Sequence, residues 1–87
     1  MDLTREESML TRRALGLERS RSVRRNRVAV HANGTDIRLA EACVAKGAMI
    51  RNPAQDYGSM RVFCVTAEGA AAISKKLPFS HTVTVAA

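Results

Sequence analysis

Apolar residues at Met9, Leu10, Ala14 and Leu17 recur at helical spacing, behind a four-residue start signal, Thr4-Arg5-Glu6-Glu7. That start is a capping box. The Thr4 hydroxyl can accept from the Glu7 amide while the Glu7 carboxylate accepts from the Thr4 amide, which predicts a helix beginning at Arg5. Glu6 and Glu7 in the first turn and Arg12 and Arg13 in the last complement the helix dipole, and Gly16 is the natural stop. Residues 18–27 are Ser- and Arg-rich without an apolar stripe, and run into the short strand candidate Val28-Ala29-Val30. After the turn signal His31-Ala32-Asn33-Gly34, Asp36 is positioned to cap a second helix reaching about Lys46. Leu39, Ala40, Cys43 and Val44 share one face of it, Arg38 and Glu41 point away, and Gly47 lies just beyond its end. Ala48-Met49-Ile50-Arg51 and residues 60–65 read as strands joined by a long polar loop holding Pro53, Asp56 and Gly58, a β-hairpin. Thr66 caps a third helix from Ala67 to about Lys76, ended by Leu77-Pro78, with Ala70, Ala71 and Ile73 available for packing. Finally Phe79, His81, Val83 and Val85 alternate with Ser80, Thr82 and Thr84, the period of a half-buried strand. An edge strand, a tail that pairs with a partner and a disordered tail are all open for this segment.

The pattern defines an α+β fold of about three helices and a hairpin, one domain over residues 1–78 with a strand or tail over 79–87. Eighty-seven residues suffice for a single domain, and although 46% are hydrophobic, two Phe, one Tyr and no Trp imply a thin core of small side chains. A homodimer would enlarge it. No stretch approaches the roughly 18 to 20 apolar residues that span a bilayer, and the chain opens on charged residues instead of a signal-peptide core, so a cytoplasm is the expected address and no membrane partner is expected. Cys43 and Cys64 sit in apolar surroundings without metal or redox spacing and are expected to be reduced, packed thiols.

Charge changes the picture most. Fourteen Lys plus Arg stand against eight Asp plus Glu, a net charge of +6, and eleven of the cations are Arg, whose planar fork can grip two phosphate or carboxylate oxygens at once. Arg19, Arg21, Arg24, Arg25 and Arg27 fall in one nine-residue window that holds no acidic residue. A solvated basic loop would need no such density, so the cluster points to an anionic partner.

The segments Val44-Ala45-Lys46-Gly47-Ala48-Met49-Ile50-Arg51 and Arg61-Val62-Phe63-Cys64-Val65-Thr66-Ala67-Glu68-Gly69 resemble the helix, basic β-wing and following cap of winged-helix regulators of the multiple-antibiotic-resistance type. With Arg13-Ala14-Leu15-Gly16-Leu17 and Arg25-Asn26-Arg27, the whole chain is similar to small proteins of tailed phages and prophages, which implies a bacterial host cytoplasm. The resemblance implies a winged-helix-like fold and DNA binding, with one departure: a complete winged helix places a two-helix recognition unit before the wing, whereas residues 20–30 read as extended where one of those helices belongs.

On this reading Arg19, Arg21, Arg24, Arg25 and Arg27 neutralise backbone phosphates of duplex DNA, Arg51 and Arg61 at the base of the wing meet a groove edge or flanking phosphate, and Arg38 lies on the exposed face of the recognition-like helix. The alternative partner is an acidic or nucleic-acid-binding surface of a host protein complex, as for phage inhibitors of host polymerase or of CRISPR surveillance complexes (anti-CRISPR proteins). Enzymatic function is not expected. There is no glycine-rich phosphate loop, nucleophile elbow or paired carboxylate set. His31, Cys43, Cys64 and His81, spaced by 12, 21 and 17 residues, match no zinc pattern, so no metal, cofactor or catalytic residue is assigned. Asp56 and Tyr57 are read as residues of a polar turn.

Overall fold

The capping box forms as its sequence predicts. In a computed structural model describing residues 1–82, Glu7 N donates to Thr4 Oγ1 at 3.1 Å and Thr4 N to Glu7 Oε1 at 2.8 Å, starting helix α1 (Arg5–Ala14). Glu7 is buried and also accepts from Lys46 Nζ; this bond and the one from the Thr4 amide hold its carboxyl below the ordinary range despite burial. Leu10, Ala14 and Leu17 are buried, but Met9 is 59% exposed, so the inward stripe is narrower than the sequence suggests.

Strand β1 (Val28–His31), helix α2 (Asp36–Ala45), strands β2 (Met49–Arg51) and β3 (Met60–Val65) and helix α3 (Ala67–Ala72) follow. Asp36 does not cap α2 as expected. It is the first helical residue, Thr35 before it makes no side-chain cap, and Asp36 Oδ2 accepts from Arg13 Nη2 at 3.1 Å, tying the end of α1 to the start of α2. A carboxylate in the first turn still suits the dipole, and the guanidinium across the helix junction replaces the backbone amides as its partner. Val44, expected inward, is exposed, and Ala71 likewise.

All three helices end in a Schellman motif. Leu17 N donates to Arg12 O at 2.9 Å, Ala48 N to Cys43 O at 2.8 Å and Lys75 N to Ala70 O at 2.8 Å, each around one left-handed residue: Gly16 (φ 75), Gly47 (φ 82) and Ser74 (φ 60). Ser74 is why α3 stops at Ala72 rather than near Lys76: the reversal returns the chain so that Leu77 is buried against the core. Thr66 caps α3, accepting from Gly69 N at 3.0 Å while its hydroxyl donates to Gly47 O at 2.6 Å. Gly69 is required by close approach, since a Cβ there would lie 2.1 Å from Ala48 O.

The sheet is antiparallel in the order β1-β3-β2, with Val28 opposite Phe63 and Met49 opposite Val65. Alternation sends Val28, Val30, Met49, Phe63 and Val65 into one core with Leu10, Ala14 and Leu15 of the α1 region and Ala40 and Cys43 of α2. Val62 and Cys64 point to the other face and are also buried. The two cysteines are free, as expected, and lie on opposite sides of the sheet; burial pushes the Cys43 thiol up, which keeps it neutral. The alternation predicted from Phe79 onward does not make a strand within the described residues: Phe79–His81 is a 3-10 turn with Phe79 97% exposed, and Val83 and Val85 lie outside them. No helix among the described residues is long and apolar enough to cross a membrane.

Candidate functional site

Residues 18–27 contain no helix or strand, as the sequence implies, yet they are fixed at several points. The segment folds back along the end of α1: Arg24 N donates to Leu15 O at 2.9 Å and Arg27 N to Ala14 O at 3.0 Å. Gly16 serves two purposes, because besides its left-handed turn a Cβ there would sit 3.1 Å from Arg24 Cβ. Val23 packs against the core. Asn26 is the keystone. Continuing the β1–β3 register places it opposite Val65, and its side-chain amide does what a strand backbone would: Nδ2 donates to Val65 O at 2.9 Å and Oδ1 accepts from Val65 N at 2.6 Å. Nδ2 also donates to His81 O at 2.8 Å, binding the C-terminal turn to the same point. Lys75 Nζ donates to Arg21 O at 2.9 Å, bringing a further cation to the loop.

With the backbone held, the guanidinium groups face solvent. Arg19, Arg21, Arg24, Arg25 and Arg27 are all exposed, and among the described residues Arg19, Arg21, Arg24 and Arg27 enter no ion pair. Arg25 differs: its Nη2 donates to Arg13 O at 2.7 Å and to Glu18 Oε1 at 3.0 Å. Arg19, Arg24 and Arg25 line, with Gly16 and Glu18, an open concavity of about 490 Å³. Arg25 and Arg27 border a second of about 290 Å³ shared with Asn52 and Gln55 of the hairpin and with Ser80, His81 and Thr82.

The hairpin arginines are placed otherwise. Arg51 lies on the core face of the sheet, its Nη2 donating to Asp56 Oδ2 at 2.6 Å and its guanidinium stacked 5.2 Å from the Phe63 ring centroid. Arg61 brings its Nε to 4.0 Å from the same carboxylate oxygen and donates to Gly58 O. Asp56 Oδ1 accepts from Val62 N at 2.8 Å, so this one side chain closes the hairpin and collects both cations. Arg38 is exposed on α2 and enters no ion pair among the described residues. Tyr57 is exposed at the hairpin tip. Among the described residues no group of three or more His, Cys, Asp or Glu could hold a metal ion; His31 meets Ser59 Oγ at 3.3 Å.

Sequence reasoning passed over Glu18, Asn26 and Lys75. Glu18 stands one residue before the basic window and could have been found there; Asn26 and Lys75 gain their roles from partners tens of residues away. No family model matches the chain, and no curated protein or solved structure does either.

Proposed function

We propose that this chain is a non-enzymatic, winged-helix-like protein of phage or prophage type that binds nucleic acid, duplex DNA foremost, through backbone phosphates. The observation that carries this reading is the loop of four exposed guanidinium groups, Arg19, Arg21, Arg24 and Arg27, which have no acidic partner among the described residues, on a backbone anchored to α1 and β3. Fixing the backbone lowers the ordering cost of binding while leaving the charges hydrated and free to pair, which suits displacement of counterions from a phosphate chain. The winged-helix-like reading is supported by the order of elements, in which α2 leads into the β2–β3 hairpin and a Thr-capped helix follows. One helix, α2, lies between β1 and β2 in place of a two-helix unit. Phosphate contact without sequence reading is therefore the favoured mode. Arg38 and the outer donors of Arg51 and Arg61 would add flanking contacts.

Fluorescence anisotropy with mixed-sequence duplex DNA tests this, comparing wild type with a variant carrying Arg19, Arg21, Arg24 and Arg27 as Ala; Arg25 is kept because it holds the loop. Wild-type affinity should fall linearly on a log–log plot against salt, with a slope near −0.9 per phosphate engaged, and the variant should lose most of both affinity and slope. A folded wild type that fails to bind even at low salt rejects the nucleic-acid reading, and capture of an acidic host complex by the same patch becomes the next experiment.

A further inference from the structure

Among the described residues Glu18 is the sole carboxylate lining the concavity formed with Arg19, Arg24 and Arg25. Its Oε1 takes one Nη2 bond from Arg25, while Arg25 remains tied to Arg13 O by a second. The pair is half open to water, with the two side chains 53% and 51% exposed, so it is of the weak, exchangeable kind. The arrangement is that of a basic concavity in which one of the cations, Arg25, is already engaged by a carboxylate of its own protein. We propose, resting on the nucleic-acid reading above, that this concavity is the seat of one backbone phosphate and that Glu18 is its built-in competitor. On binding, the phosphate takes the place of the Glu18 carboxylate against Arg25, in the concavity that Arg19 and Arg24 also line, Glu18 swings into solvent, and the bond to Arg13 O keeps Arg25 in place. Glu18 thus lowers affinity for isolated anions and weak contacts, and is outcompeted where several phosphates engage the loop together.

Glu18→Gln keeps size and a hydrogen-bonding oxygen but removes the competing charge. In the duplex-DNA titration, E18Q should bind several-fold tighter than wild type, with a salt slope steeper by up to about 0.9, one further phosphate contact. The gain should disappear in an Arg25→Ala background, where the two single effects no longer add. Wild-type binding with E18Q equal or weaker overturns the competitor role and leaves the nucleic-acid reading standing. A folded wild type that fails to bind even at low salt overturns both proposals, whatever E18Q does. Thermal unfolding of E18Q, expected to match wild type, separates a charge effect from a folding effect.

Discussion

The hairpin and the loop of residues 18–27 use the same side chain to opposite ends. In the hairpin, Arg51 and Arg61 converge on the one carboxylate of Asp56 and Arg51 lies over the Phe63 ring, so part of their charge is answered within the protein. In the loop, the backbone rather than the side chains is tied down, and four guanidinium groups find no acid among the described residues. An arginine count therefore overstates a binding surface: an acid within reach turns a cation into a structural prop, and cations beyond such reach remain for a partner.

The comparison can be broken at the carboxylate that makes it. Asp56→Ala should cost about 2 kcal/mol in urea denaturation, because it orphans the Val62 amide and releases two guanidinium groups at once. It should at the same time raise the salt sensitivity of any DNA binding, since Arg51 and Arg61 would then resemble the loop arginines.

Glu7, the buried counterpart of exposed Glu18, sharpens the contrast from the acidic side. Glu7→Gln should cost about 1–2 kcal/mol by weakening the cap and removing the charge that pairs with Lys46. The fold holds Glu7 ionised below its ordinary range, so this contribution is fully present at neutral pH and is lost as pH falls through the folded-state value. Unfolding midpoints followed into acid should show a steeper decline for wild type than for E7Q; parallel curves would reject the role. Next, Arg51→Ala should lower stability by about 1 kcal/mol, through the lost ion pair and the stacking on Phe63, while changing DNA affinity less than any single loop substitution. Smallest of all, the four-alanine loop variant should unfold within about 0.5 kcal/mol of wild type, as expected for surface side chains without partners. A large destabilisation there would mean that the loop arginines are structural too and would erase the distinction.

Much of the fold is legible locally. Thr4 with Glu7 and Thr66 with Gly69 start two helices through contacts three residues apart, and Gly16 and Gly47 stop two where a left-handed residue is needed. The errors fall where a local signal met a distant competitor. Asp36 looked like a cap and was taken by Arg13, 23 residues earlier in the chain. α3 looked four residues longer because Ser74 carries no mark of the left-handed turn that brings Leu77 home. The basic cluster was visible as a cluster, but its division into free and engaged arginines was not.

What the sequence by itself determined is therefore most of the elements, the caps of α1 and α3 and the excess of arginine, because each depends on neighbours within a turn or two of chain. Only the tertiary structure decided which charges are spoken for. Asn26 completes the ladder at Val65 from 39 residues away, Lys46 reaches Glu7 over the same separation, and Glu18 pairs with Arg25, which the return of the loop along α1 brings back to it. Ion pairs and hydrogen bonds fade within a few ångströms in water, so their partners are set by distance through space, which the order of residues does not state.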